Sequence, residues 1–159
     1  TKFWNMEITQ RTVKPIAIKE SQHRWYLIAE DNKNGQIRNF GFDRITNLKI
    51  LDSKFKSIVF DVQKNYQHAF GVETYEPIQK VVLEFSWQQG NYIKSFPLHT
   101  SQKIISDSAD ALLIELHIHP TNDIIMELLK YGSDVEVIEP PKVKNDIKKR
   151  RSQMMKIYS

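Results

Sequence analysis

The sequence predicts a mixed fold, in which a small β-barrel is followed by an α+β domain of ferredoxin-like topology. Several short strand patterns separated by turn residues fill the first third of the chain, as in small barrels. The second half alternates strand and helix patterns in the order β-α-β-β-α-β and then ends in a long helix. We therefore place the first domain at residues 1–52, a connection with a short helix at 53–77, and the second domain at 78–159.

In the first domain, alternating apolar and polar residues predict strands over 7–13, 25–29, 37–44 and 48–51. Pro15 marks a strand edge, because proline cannot donate a ladder hydrogen bond. Asn34-Gly35 lies between the second and third strands, and both residue types tolerate the positive φ of a tight hairpin turn. Short strands joined by such turns indicate a barrel.

The remaining elements follow from helix caps and strand periodicity. Asp61 is a suitable N-cap for a short helix that reaches Phe70, and Gly71 is placed to end it. Thr121 precedes a helical pattern that Gly132 ends. The predicted strands of the second domain are 78–87, 103–106, 112–119 and 135–138, and its helices are 91–96, 123–131 and 143–158.

Composition excludes several classes of function. The chain has 159 residues and no cysteine, so disulfides, thiolate metal sites and cysteine nucleophiles are absent. It has no phosphate-binding glycine loop and no nucleophile-elbow pattern, and we expect neither an enzyme nor a bound cofactor. Glu115, His117 and His119 share one strand face and are possible metal ligands. We predict no bound metal, because these residues alternate with apolar ones and so form the polar face of a sheet strand.

Charge is unevenly distributed along the chain. The formal net charge is +4, yet residues 57–141 carry 5 Lys and Arg against 12 Asp and Glu, while residues 142–159 carry 7 against 1. Two explanations stay open. The basic ends contact nucleic acid, or basic and acidic segments of the chain contact each other within a homodimer. No apolar run is long enough to cross a membrane, and a cytoplasmic location is expected.

The stretch from Arg24 to Ile45 is the candidate binding site. Arg38 and Arg44 flank aromatic residues, a pattern that suits a phosphate-bearing ligand. The alternative is that each arginine pairs with a nearby carboxylate, such as Asp43 or Glu30. Alternation sends Trp25 and Leu27 into the barrel core and Tyr26 to the other face, where its hydroxyl can mark a groove.

The same stretch resembles the WYL domain of bacterial transcriptional regulators. The matching residues are Pro15, Trp25-Tyr26-Leu27 and Arg38-x-Phe40-x-x-Asp43-Arg44-Ile45. Gly41 departs from the pattern, because the family usually has a basic residue there. The resemblance implies an Sm-like barrel that binds a nucleotide or single-stranded nucleic acid, and Arg38, Arg44 and Tyr26 are the expected contacts.

The second half resembles the WCX extension of the same regulators. The order of Tyr131-Gly132, the strand 135–138 and Glu139-Pro140 carries this resemblance. The resemblance implies that this second half dimerises or transmits a signal. It also implies a DNA partner, which is bound through an N-terminal winged helix-turn-helix domain. No part of this sequence resembles such a domain. We therefore expect the ligand-sensing, C-terminal part of a longer regulator. The alternative function is a structural dimerisation module without a ligand of its own.

Overall fold

The computed structural model of the protein describes residues 6–158. These residues divide into two compact units, the first ending at Asn65 and the second beginning at Tyr66. The division falls inside the predicted connection 53–77, and the predicted domain boundaries stay a prediction. Within residues 6–158 no helix has both the length and the apolar character that a membrane span requires.

The first unit is built on a three-stranded antiparallel sheet. Its strands are β1 (Val13–Ser21), β2 (Arg24–Asp31) and β3 (Ile37–Gly41), in the order β1-β2-β3. Aromatic and β-branched residues favour these strands, and the register of β1 against β2 shifts just after Pro15. A short 3-10 turn, Phe42–Arg44, follows β3 directly. The observed strand therefore ends at Gly41, whereas the predicted strand continued to Arg44. The short helix α1 (Val62–Tyr66) spans the point in the sequence at which the two units divide.

The described residues of the first unit form an open sheet and no closed barrel. Residues 48–51 lie outside strands, and of the predicted strand 7–13 only Val13 belongs to one. Alternation alone cannot show whether an extended segment finds a pairing partner, since pairing depends on residues distant in sequence. Trp25 is 56% exposed, so the prediction of a core position for it is wrong; Ile28 and Ala29 are buried instead. The predicted mixed β and α+β class is nevertheless confirmed.

Both hairpins of this sheet depend on backbone in the left-handed region. Gln22 and His23 form a two-residue turn between β1 and β2, with φ of 50° and 62°. The loop 32–36 joins β2 to β3 and contains the predicted turn residue Gly35, whose φ is 70°. The Gly35 N–H donates to the Asp31 carbonyl oxygen at 2.8 Å. The predicted hairpin is present, and its loop has five residues.

Gly35→Val should lower the free energy of unfolding of the first unit by more than about 1 kcal/mol, because a β-branched residue is strained at positive φ. No atom lies within 4 Å of a Cβ built at this position, so the effect isolates backbone strain from crowding. Urea unfolding followed by far-UV circular dichroism measures it. Gly35→Asn is the matched control, since asparagine tolerates this conformation; equal losses for Val and Asn would contradict the explanation.

The second unit has the predicted ferredoxin-like topology. Its elements in chain order are β4 (Gln79–Ser86), α2 (Trp87–Ser95), β5 (Lys103–Asp107), β6 (Ala111–Ile118), α3 (Asn122–Lys130), β7 (Val135–Glu139) and α4 (Pro141–Tyr158). The sheet order is β5-β6-β4-β7, and every neighbouring pair is antiparallel. This order follows from two consecutive β-α-β units whose crossovers have the same hand.

The core of the second unit lies on the helix-covered face of the sheet. Alternate residues of the two central strands are fully buried, among them Leu83, Phe85, Ile114 and Leu116. The start of α4 joins this core through Val143, which is 1% exposed. All residues from 151 to 158 are exposed, so the last two turns of α4 project beyond the packed part of the unit.

The helix caps agree in part with the predictions. The Asp61 carboxylate accepts a hydrogen bond from Lys64 N–H at 2.9 Å, as expected of an N-cap, although the helix ends at Tyr66 rather than at Phe70. Helix α2 begins four residues before the predicted start, because Ser86 caps it by accepting from Gln89 N–H. Thr121 occupies the N-cap position of α3, but its side chain makes no capping hydrogen bond.

Candidate ligand-binding surface

The strand register places Tyr26 within a basic face of the first sheet. Tyr26 lies opposite Lys19 on β1 and opposite Gly41 on β3. Directly opposed residues of antiparallel strands share a face, and so does Arg24, two residues before Tyr26 on the same strand. We call this side of the sheet, which carries Lys19, Arg24 and Tyr26, the Tyr26 face.

The turn after β3 brings an acidic residue and a second arginine to this end of the sheet. Arg24 Nη1 donates to Asp43 Oδ2 at 3.0 Å, and Arg44 Nε lies 3.8 Å from the other carboxylate oxygen, Asp43 Oδ1. We call Arg24, Asp43 and Arg44 the Asp43 cluster. Asp43 is 43% exposed, so both guanidinium groups are oriented by one carboxylate at the protein surface.

The absence of a side chain at Gly41 allows the cluster to form. A Cβ at this position would lie 2.6 Å from Asp43 Oδ1 and 2.9 Å from Arg44 Nε, distances at which both side chains would have to move. The two side chains thus fold back over the Gly41 backbone. The Arg44 side chain occupies the space that a side chain at position 41 would need. This explains glycine at a position where the resemblance leads one to expect a basic residue.

Arg38 lies on the opposite face of the sheet. It is opposite Ala29 in the register, and its Nε is 3.5 Å from Asp31 Oδ2. Arg11 Nη1 donates to the same oxygen at 3.0 Å, and Lys33 N–H donates to Asp31 Oδ1 at 3.0 Å. Asp31 is 1% exposed. We call Arg11, Asp31 and Arg38 the Asp31 cluster.

The structure therefore brings two of the three predicted site residues together. Tyr26 and Arg44 both lie next to Gly41, whereas Arg38 pairs with Asp31 on the other face of the sheet. Both Arg38 and Arg44 also form an ion pair with a nearby carboxylate, which was the alternative interpretation of these residues. Arg44 has the expected partner, Asp43, but Arg38 pairs with Asp31 and not with Glu30, whose carboxylate accepts from Lys14 Nζ at 2.6 Å.

Sequence reasoning missed Lys19 and Arg24. Arg24 could have been found, because it stands two residues before Tyr26 and alternation places both on one face. Lys19 could not, because its position opposite Tyr26 depends on the register shift after Pro15. Asp31 was also missed as the partner of Arg38, since only the hairpin register brings the two side chains together.

Positive charge exceeds negative charge on the Tyr26 face. Arg24 and Arg44 share one carboxylate, Asp43, and Lys19 adds a further positive charge. Glu30, on the same face by alternation, is paired with Lys14. Guanidinium groups present planar pairs of donors that match phosphate oxygens, and the half-buried Tyr26 adds an aromatic ring with a polar tip. This arrangement is chemically suited to an anionic ligand that carries phosphate.

The histidine residues considered as metal ligands do not converge. His117 Nε2 is 2.8 Å from Glu115 Oε1, while His119 Nδ1 is 2.6 Å from the Glu76 carbonyl oxygen in another segment. Among the residues that the structure describes, no group of three or more histidine, aspartate or glutamate side chains is placed to hold a metal ion.

Comparison with known families gives two matches. The model of the WYL domain matches residues 2–50, and the model of the WCX domain matches residues 77–155. No curated protein matches the chain. Among solved structures, the chain is similar to proteasome accessory factor B/C (PafBC) of Arthrobacter aurescens, with 21% identity and a TM-score of 0.38 over 86% of this chain. The match spans 21% of that protein's length.

Proposed function

Since the chain belongs to the protein family that joins a WYL domain to a WCX domain, we propose that it is the regulatory, ligand-sensing part of a transcription regulator. Its ligand is a nucleotide or a single-stranded nucleic acid, bound on the Tyr26 face. The observation that supports this most directly is the Asp43 cluster, in which Arg24 and Arg44 are oriented side by side next to Tyr26.

The proposed chemistry is phosphate recognition. The two guanidinium groups donate to phosphate oxygens, Lys19 adds a third positive charge, and the Tyr26 ring contacts a base or sugar. Asp43 keeps the arginine side chains in place, which reduces the entropy lost when the ligand binds. Arg38, on the other face, is a contact only for a ligand long enough to pass around the sheet edge.

Regulation requires that the ligand favour one of two states. In a longer cytoplasmic protein, a DNA-binding domain would read the difference between these states through its altered affinity for an operator. The WCX domain would transmit that difference or hold two copies of the chain together. The ligand must therefore bind one arrangement of the regulator more tightly than the other.

Fluorescence anisotropy with labelled single-stranded DNA and RNA of a few nucleotides tests this function, together with melting-temperature measurements in the presence of mononucleotides. We expect binding that weakens as salt rises and a melting temperature that increases with ligand concentration. Double-stranded DNA of the same length is the control. No binding of any of these ligands at low salt would contradict the ligand-sensing function.

Gly41→Ala should weaken nucleotide binding by about tenfold, because a lost charge-assisted hydrogen bond is worth roughly 1.5 kcal/mol. The new methyl group meets Asp43 Oδ1 and Arg44 Nε and turns both side chains away. The melting temperature should change little, since Asp43 is well exposed. Calorimetric titration measures the affinity; an unchanged dissociation constant would show that the folded-back arrangement is not needed.

The structural alternative, a dimerisation module without a ligand, also has an observation in its favour. The projecting end of α4 carries exposed apolar side chains, Met154, Met155, Ile157 and Tyr158, after the basic run 148–151. Exposed apolar groups next to one sign of charge are typical of a contact surface. The excess of acidic residues in 57–141 gives a second copy of the chain the complementary charge.

A homodimer is therefore expected, and it should weaken as salt rises because exposed charges are screened. Light scattering at low and high salt measures the mass. Met155→Lys tests the apolar contribution, with Lys144→Ala as a control elsewhere on the same helix. A monomer at high protein concentration in low salt would contradict dimerisation by this chain, whereas a dimer indifferent to salt would contradict only the electrostatic explanation.

A further inference from the structure

A groove in the second unit lies at the start of α3. Its volume is about 400 Å³, and its walls come from the segment 75–76, the residues 120–122 and one face of α4. All of these belong to the same compact unit. The groove is remote in sequence from the Tyr26 face and has no part in the function proposed above.

One wall of the groove is basic. Lys142, Lys149 and Arg150 line it from α4, where spacings of seven and eight residues place side chains on one side of a helix. Lys142 Nζ is 2.6 Å from Glu76 Oε1, and Arg150 donates to Asn122 Oδ1. Lys149 has no hydrogen bond or ion pair with any residue that the structure describes. The positive charge of Lys149 is therefore available to interact with a ligand in the groove.

One residue that lines the groove, Thr121, has a buried hydroxyl group without a hydrogen-bond partner among the described residues. Thr121 is 1% exposed. The residue occupies the N-cap of α3, but the neighbouring Asn122 N–H donates to Tyr75 Oη at 3.1 Å instead. A buried hydroxyl without a partner is unfavourable. A ligand oxygen in the groove would supply the missing partner.

Charge around the groove favours an anion. Three cations line it against two carboxylates, Glu76 and Asp146, and Glu76 is already paired with Lys142. The start of α3 adds the positive end of a helix dipole.

We propose that this groove binds a phosphate group of a small phosphate monoester. Lys149 and Arg150 pair with the phosphate oxygens, and the Thr121 hydroxyl donates to one of them. The Tyr75 ring, 65% exposed at the rim, contacts the organic part of the ligand. The second unit thereby senses a phosphorylated metabolite independently of the first.

The test uses the 159-residue chain with Arg44→Ala, so that phosphate binding on the Tyr26 face does not contribute. Inorganic phosphate and adenosine monophosphate are titrated by calorimetry and by melting temperature, with chloride at matched ionic strength as the reference. We expect Lys149→Ala to weaken binding about tenfold or more, the loss of one charge-assisted contact, without lowering the melting temperature. Lys148→Ala, one residue away and outside the groove lining, should bind as before.

Thr121→Val separates ligand binding from folding. Valine has the shape of threonine without the hydroxyl, so the melting temperature without phosphate should stay the same or rise. Binding of phosphate should nevertheless weaken by about fivefold. The proposal is overturned if phosphate and adenosine monophosphate leave the melting temperature unchanged, if Lys148→Ala weakens binding as much as Lys149→Ala, or if Thr121→Val binds with unaltered affinity.

Discussion

Asp31→Ala should lower the free energy of unfolding of the first unit by roughly 3 kcal/mol. The carboxylate is buried and accepts from Arg11 Nη1 and Lys33 N–H, and Arg38 Nε lies 3.5 Å away. Its removal leaves two guanidinium groups facing each other across an empty site and leaves a backbone N–H of the hairpin loop without this acceptor. Denaturant unfolding of the variant and of the unaltered chain measures the difference.

Asp43→Ala is the matched control for this experiment. Asp43 also orients two arginines, but it is 43% exposed, so its removal should change stability by less than about 1 kcal/mol. Asp31→Asn should fall between the two, because the amide oxygen still accepts from Lys33 N–H while the charge is lost. Similar losses for Asp31→Ala and Asp43→Ala would contradict the view that burial gives the Asp31 cluster its importance.

The largest expected effect on binding comes from Arg44→Ala. If the Tyr26 face holds a nucleotide or single-stranded nucleic acid, this variant should weaken binding by about 30-fold or more, since a charge-assisted pair to phosphate contributes about 2 kcal/mol. Its melting temperature should remain close to that of the unaltered chain. Fluorescence anisotropy at two salt concentrations measures both the affinity and the salt dependence, which should become less steep.

Arg38→Ala is the contrasting variant, because Arg38 is bound to Asp31 on the other face. It should lower stability while a mononucleotide still binds, and only a longer oligonucleotide should bind more weakly. Arg44→Lys should restore part of the affinity, since lysine keeps the charge but loses the planar pair of donors. An unaltered dissociation constant for Arg44→Ala would refute the assignment of the site.

Much of the second unit could be predicted from the sequence, because its elements are strongly periodic and have recognisable ends. Gly132 ends α3, and the alternating residues of β6 place every second apolar side chain in the core. The order of elements then restricts the sheet to few topologies, of which the observed one is the ferredoxin-like arrangement. The start of α2 was less predictable, because Trp87 suits a strand as well as a helix.

The first unit was harder to predict, because its contacts depend on register rather than on local pattern. The predicted third strand continued to residue 44, whereas β3 ends at Gly41 and the chain bends there into a 3-10 turn. The bend, however, places Arg44 over the Gly41 backbone and leaves Arg38 on the other face. Alternation assigns two residues to faces of a sheet only when both lie in the same strand. Because β3 ends between Arg38 and Arg44, their spacing in the sequence does not predict which face each one occupies.

The projecting end of α4 also determines where the chain is open to proteolysis. Two exposed helical turns at the end of a helix are only marginally stable in water, so we expect them to unwind locally while the rest of the unit stays folded. Lys148, Lys149 and Arg151 are exposed and lie in or directly before these turns, and trypsin cleaves after such residues. Cleavage there would follow local opening, so its rate would be independent of the global stability of either unit and would fall only when a partner covers the helix end.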